Sequence, residues 1–196
     1  MDIPRLQKTL EAAGFTVQWF PTAQAAKEAL VARFAGKTIG MGGSVTLRDL
    51  GLYEALSQRG TVYWHWQQPG PETLAQAAKA QVYLTSVNAL AETGELVNID
   101  GAGNRAAAVC FGPEQVYFVI SHSKVVDGGI NTAIARIKKT ACPPNARRQG
   151  LDTACARTGM CGPDCHDSMC RLTLAVDRAP RGRKITVLFV EETLGY

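Results

Sequence analysis

No run of apolar residues in this chain approaches the ~20 needed to span a bilayer. The opening Met-Asp-Ile-Pro lacks both the cationic and the apolar part of a secretory signal, so the cytoplasm is the expected compartment and no membrane association is expected. Nothing repeats at a fixed period and no segment is of low complexity, which argues against a repeat array or a disordered tract. The glycines complete neither the dinucleotide-binding fingerprint nor the P-loop, so an isolated dehydrogenase with its own nicotinamide site is not expected. Basic residues are not interleaved with aromatics, and neither helix-turn-helix nor zinc-finger spacing occurs, which sets nucleic acid aside as a partner.

What is present fits one folded unit. The 196 residues are 46% hydrophobic and 19% charged, enough for a sizeable core without requiring a second domain. The expected organisation is a single α/β domain over residues 1–196, with 142–170 a cysteine-rich insertion. The formal charge of +4 is uneven. Residues 124–184 carry twelve Lys or Arg against five Asp, while the first 123 residues are slightly acidic. A basic C-terminal third can face an anionic ligand or an acidic partner, or simply solvate a surface.

Periodicity predicts strands alternating with helices. Residues 3–13 are helical in pattern with Gly14 as the stop, 15–20 form a strand, and 23–34 a second helix. Residues 37–47 read as a strand, a glycine turn and a new helix with Ser44 as N-cap. Residues 61–66 form a further strand in which Trp64 and Trp66 share one face and His65 points the other way. A helix over 72–80 and strands at 81–86, 95–100 and 116–121 follow. A helix over 131–139 is expected to be stopped by Cys142-Pro143-Pro144, and residues 172–176 and 184–190 suggest a hairpin-like pair. Strand–helix alternation predicts a largely parallel sheet with helices on both faces, and ligands of such sheets bind beyond the carboxyl ends of the strands.

Two stretches are placed to meet at that edge. Gly42, Gly43 and Ser44 lie in a turn whose backbone N–H groups are a candidate cradle for phosphate or carboxylate, a tight structural turn being the alternative. Residues 84–105 pack Ser86, Asn88, Glu92, Asp100, Asn104 and Arg105 between short apolar runs, as expected for polar groups on strand ends. Arg105 can fold back onto Asp100, onto Glu92 or onto an anionic ligand. Lys124, with His122 close by, follows the strand at 116–121.

Cys155-x5-Cys161-x3-Cys165-x4-Cys170 places four thiols within a short glycine- and proline-containing loop. Four thiolates repel one another, and a bound cation is a natural way to neutralise them. An iron–sulfur cluster, [4Fe-4S], is favoured over zinc because only the Cys161–Cys165 step has zinc-like spacing. Cys142 and His166 are spare ligand candidates, and free thiols or disulfides are the plainer alternative.

The run from Ser86 to Arg105, with Gly112-Pro113, Arg136-Ile-Lys-Lys, Pro144-Asn-Ala-Arg147 and Thr158-Gly-x-Cys161, resembles the LUD (lactate-utilisation) family, related to lactate-utilisation protein C. The resemblance implies a fold like that of the sugar-phosphate isomerase and CoA-transferase superfamily. It also implies a link to oxidation of lactate to pyruvate alongside iron–sulfur partner subunits. The family's middle cysteine pair is commonly C-x2-C, and this chain has one residue more there.

Two functions follow. In the first, a redox-linked subunit binds a small hydroxy or keto acid at Gly42–Ser44, Ser86, Asn88, Asn104, Arg105 and Lys124. Arg105 or Lys124 then holds the carboxylate, Glu92 or Asp100 serves as general base, and Cys155, Cys161, Cys165 and Cys170 hold the cluster. In the second, the same pocket binds a small anion or sugar phosphate without turnover, and the cysteines sense iron or oxygen.

Overall fold

The computed structural model describes residues 2–196. In chain order the elements are α1 (Ile3–Ala12), β1 (Thr16–Phe20), α2 (Ala23–Arg33), β2 (Thr38–Met41), α3 (Val45–Asp49), α4 (Leu52–Ser57), β3 (Thr61–Trp64), α5 (Pro71–Lys79), β4 (Val82–Thr85), β5 (Ala89–Ala91) and β6 (Leu96–Asp100). Then come α6 (Asn104–Cys110), β7 (Gln115–Ser121), β8 (Val125–Val126), α7 (Ile130–Arg136), α8 (Cys142–Gln149), α9 (Ala154–Thr158), β9 (Leu172–Val176) and β10 (Lys184–Val190).

Six strands form a parallel sheet in the order β1-β10-β7-β4-β2-β3. Side chains of its central strands alternate between two cores. Val82 and Leu84, Tyr117 and Val119, and Leu188 and Val190 face one side, under α2 and α4. Tyr83, then Val116, Phe118 and Ile120, and Ile185, Val187 and Phe189 face the other, under α1, α5 and α6. Burial of both faces is what near-continuous apolar strands require. The α/β architecture with helices on both faces is as the alternation predicts.

A second sheet, β8-β5-β6-β9, is mixed: β5 and β8 run parallel, while β6 is antiparallel to β5 and β9. Leu90 and Leu96 point into the core beneath the main sheet, whereas Ala89, Ala91 and Val97 pack on Ala133, Ile137, Ala141 and Ala146 of the α7–α8 rod. The small side chains on that face let the helices approach closely.

Two sequence expectations are corrected. Residues 172–176 and 184–190 do not pair with each other: β9 adds to β6 at the edge of the small sheet, and β10 inserts between β1 and β7. All residues of β10 after Lys184 are buried, so the strand needs apolar neighbours on both faces, which only the middle of the main sheet supplies, while half-exposed β9 suits an edge. Nor does Cys142-Pro143-Pro144 end the helix. A π turn over Ile137–Ala141 joins α7 to α8, with the Cys142 N–H donating to Ile137 O. The two prolines then fall in the first turn of α8, where a missing donor costs little.

Candidate functional site

The parallel sheet brings the carboxyl ends of β2, β4 and β7 side by side. The chain leaving each one, at Gly43-Ser44, at Ser86-Val87-Asn88 and at Lys124, lines a cavity of about 230 Å³. Asp100, Asn104 and Arg105 form a second wall. The α7–α8 rod contributes Cys142, Asn145 and Arg148 to a third, closed by Met169, Cys170 and Tyr196. The two polar stretches marked by the sequence therefore meet at the strand ends.

Lys124 is the most constrained of these side chains. It is 3% exposed, and its Nζ donates to Thr46 Oγ1 at 2.7 Å, Ser86 Oγ at 3.1 Å and Val87 O at 3.2 Å. All three acceptors are neutral. Burial, then the positive charges of Arg136 and Arg105, push its pKa down to about 7, against a small opposing pull from Asp49. Arg136, also shifted down by burial, donates to Asn88 O at 2.7 Å and Ser123 O at 3.1 Å. Both side chains are thus held on neutral oxygens, close enough for the Arg136 charge to lower the Lys124 pKa.

Arg105 and Asp100 fold onto each other, as one of the sequence alternatives has it. Arg105 Nε donates to Asp100 Oδ1 at 2.7 Å, its Nη2 forms an ion pair with the same oxygen, and the Ala106 N–H donates to Oδ2 at 2.8 Å. The turn depends on Gly103, whose φ of +78° is a left-handed conformation that favours glycine. Arg105 Nη2 also donates to Asn88 Oδ1 at 3.0 Å and Ile99 O at 3.1 Å, and Asn88 Oδ1 accepts the Ile99 N–H at 2.9 Å. Asn88, Asp100 and Arg105 are therefore one buried brace that sets the wall. Asp100 has both oxygens occupied and is the only Asp or Glu side chain lining the cavity among the described residues.

The remaining expected site residues divide between the cavity and its surroundings. Gly43, Ser44, Ser86 and Asn104 line the cavity; Gly42 and Glu92 do not. The Gly42 N–H donates to Leu84 O at 2.9 Å and its carbonyl accepts Trp64 Nε1 at 3.1 Å, so it serves the sheet rather than a ligand. A side chain there would press on Thr85 and Tyr83, which accounts for the glycine. Ser44 Oγ accepts the Leu47 N–H at 3.3 Å and caps α3, which has only five residues and so carries little dipole. Glu92 follows β5 and donates its backbone N–H to Val126 O. His122 is exposed and outside the lining.

Several lining residues carry no signal in the sequence. His65 and Trp66 both reach the cavity, because β3 ends at Trp64 and strand alternation stops with it. His65 is held below its ordinary pKa by burial and by Arg148, and its Nδ1 is buried without a hydrogen-bond partner. At the rim the Arg148 guanidinium lies 4.4 Å from the Trp66 ring centre and donates to Asn145 Oδ1 and Tyr196 OH. A contact between residue 148 and residues 66 and 196 has no local pattern that would reveal it.

The cysteine loop does not gather as a four-thiolate set would require. Among the described residues, no three His, Cys, Asp or Glu side chains are disposed to hold one metal ion. Arg157 organises the loop instead, forming ion pairs with Asp152 and Asp164, while His166 turns outward to Asp164 at 2.8 Å. Cys155 is buried beside Thr153, Cys165 is half-buried, and Cys161 is exposed. Cys170 faces Cys142, sulfur to sulfur at 3.5 Å. Of that pair Cys170 is the more acidic: its contact with Cys142 holds its pKa down to about 7 against burial, with help from Lys138, while the same contact, then burial and the nearby Cys155 and Cys161, raise that of Cys142. As they stand, Cys155, Cys161, Cys165 and Cys170 form no metal-holding group among the described residues, while Cys155, Cys161 and Cys170 lie near enough to Cys142 to raise its pKa.

Among the described residues no helix is long and apolar enough to cross a membrane. The sequence pattern of the LUD domain family matches residues 3–190. A crystal structure of a DUF162 family protein from Deinococcus radiodurans is similar over 96% of this chain and 95% of that one, with a TM-score of 0.54 and 13% identity, a likeness of fold. No curated protein matches the sequence.

Proposed function

Because the chain belongs to the LUD domain family, a lactate-utilisation type of protein, we propose that its cavity binds a small anionic hydroxy or keto acid and so supports oxidation of lactate to pyruvate as a dependent subunit. The observation that carries this is Lys124: a buried cation at the cavity wall, beside Arg136, with only neutral oxygens as partners. An unpaired buried charge is costly, and an anion entering the cavity supplies the missing counter-charge. Ser44, Ser86 and Asn104 offer uncharged donors around it, and Arg148 adds a cation at the rim.

The chemistry open to such a site is constrained. Asp100 is braced by Arg105, and Glu92 is outside the cavity, so neither is placed to take a proton from a bound acid. With Lys124 engaged as the cation that holds the acid, the lining group able to do so is His65, kept neutral by burial and by Arg148. No electron route through a cluster is assigned, and the electron acceptor belongs to a partner subunit.

Calorimetric titration of the purified chain with pyruvate, L-lactate and the neutral amide of lactate tests the proposal. The two acids are expected to bind and the amide not to. Lys124→Met should weaken acid binding more than tenfold. Equal binding of acid and amide, or a Lys124→Met variant with unchanged affinity, would overturn it. The single unengaged feature that favours a purely binding role is the shortage of free carboxylates in the cavity. In that case the same acids, or inorganic phosphate, bind and no product forms even with the partner subunits present.

A further inference from the structure

Six cysteines are spread over this chain, and among the described residues only two of their sulfurs come into contact. Cys142 opens α8, in the first turn after the π turn, and is 6% exposed. Cys170 is exposed, in the irregular segment before β9. They lie 28 residues apart in sequence, 3.5 Å apart in space, and both line the cavity. The helix fixes one sulfur. The segment carrying the other is held at its ends, where the Cys170 N–H donates to Ser168 Oγ and the Arg171 N–H donates to Asp100 O at 3.0 Å.

We propose that Cys142 and Cys170 form a thiol–disulfide pair built into the cavity wall, oxidised by a low-molecular-weight disulfide. A disulfide needs the sulfurs to close from contact to about 2.05 Å. The roles follow from exposure. The exposed Cys170 thiolate attacks the small disulfide, forms a mixed disulfide and expels one small thiolate. The Cys142 thiol, giving up its proton, then attacks the Cys170 sulfur and expels the second small thiolate. Two protein thiols and one small disulfide become one protein disulfide and two small thiols, with the two electrons passing to the small disulfide. Cys142 is shielded from direct attack but in contact with Cys170, which suits a resolving thiol.

The other thiols lack this arrangement. Cys155 is buried with Thr153 Oγ1 as its neighbour at 3.3 Å. Cys161 and Cys165 sit in the loop clamped by Arg157, and Cys110 ends α6. The pair does not depend on which acid the cavity holds. Its consequence is that the Met169–Cys170 wall, next to the brace at Asp100, is tied covalently to α8 in the oxidised protein and only by the weak contacts of Met169 Sδ with Asn145 and Gln149 in the reduced one.

The test uses the full chain, reduced and without oxygen, exposed to glutathione disulfide, then alkylated and mapped by peptide mass spectrometry. Oxidation should join the peptide holding Cys142 to the one holding Cys170, leave four thiols free to alkylate, and reverse with dithiothreitol. Cys142→Ser should stop the reaction at a glutathione adduct on Cys170. Cys170→Ser, a change at an exposed position that spares the core, should leave Cys142 unmodified and abolish the crosslink. A crosslink among Cys155, Cys161 and Cys165 with Cys142 and Cys170 still free would overturn the proposal. So would thiols that resist oxidation because they hold stoichiometric zinc or iron, measured on the same sample.

Discussion

Replacing Lys124 by Met should remove a rise in stability between pH 7 and pH 9 that the buried amine gives the wild-type protein. Burial, with Arg136 and Arg105 beside it, lowers the folded-state pKa from 10.5 to about 7. The sign follows from proton binding: between those values the unfolded chain holds a proton on this amine and the folded chain does not, so folding becomes more favourable as pH rises. The slope approaches about 1.4 kcal/mol per pH unit. From pH 7 to pH 9 the wild-type protein should therefore gain about 2 kcal/mol on Lys124→Met. The variant keeps an unbranched apolar stem one atom shorter but leaves Thr46 Oγ1, Ser86 Oγ and Val87 O without their donor, a constant offset of about 1 kcal/mol for each bond. That offset does not vary with pH, and contributions from every other titrating group cancel in the difference. Urea unfolding of both proteins at pH 7, 8 and 9 measures it. Parallel pH dependences would show that Lys124 keeps its proton in the folded state, and the case for an unsatisfied buried cation would then fail.

Other substitutions separate the brace from the cavity. If binding an acid requires the charged amine, pyruvate binding takes up a proton above pH 7, and affinity should fall toward tenfold per pH unit from pH 7 to 9, read by titration calorimetry in two buffers of different ionisation heat. Asp100→Ala strands the Arg105 guanidinium without its counter-charge and should cost about 3–5 kcal/mol in urea unfolding; a loss under 1 kcal/mol, taking the roughly 0–1 kcal/mol of a surface pair as the bound, would mean that the pair is solvated. Glu92→Gln should leave the dissociation constant for pyruvate unchanged, because Glu92 is outside the cavity; a tenfold change would place it at the ligand after all.

Much of this arrangement was legible in the chain itself. Alternation of strand and helix patterns announces a parallel sheet, and parallel sheets put their ligands at the carboxyl ends of the strands, so Gly43, Ser44, Ser86 and Lys124 are marked before any contact is known. The Arg105–Asp100 pair is also local, five residues apart across a glycine turn. The roles of those residues were less legible. Asp100 reads as a general base because carboxylates on turns often are, but whether its lone pairs are free depends on Arg105 and the Ala106 N–H closing on it together.

The order of residues alone determined the two-faced apolar strands, the polar strand ends and the family. These rest on periods of two and 3.6 and on short motifs, and such patterns act between neighbours in the chain. Only the tertiary structure decided that β10 belongs in the middle of one sheet and β9 at the edge of another, since competition for doubly buried sites is settled over the whole fold. It likewise decided that Arg148 lies over Trp66 and that Cys170 meets Cys142 rather than the cysteines beside it in sequence. Contacts of that kind depend on where the α7–α8 rod comes to rest, and the rod is placed by the alanine face of the small sheet, which no local spacing records.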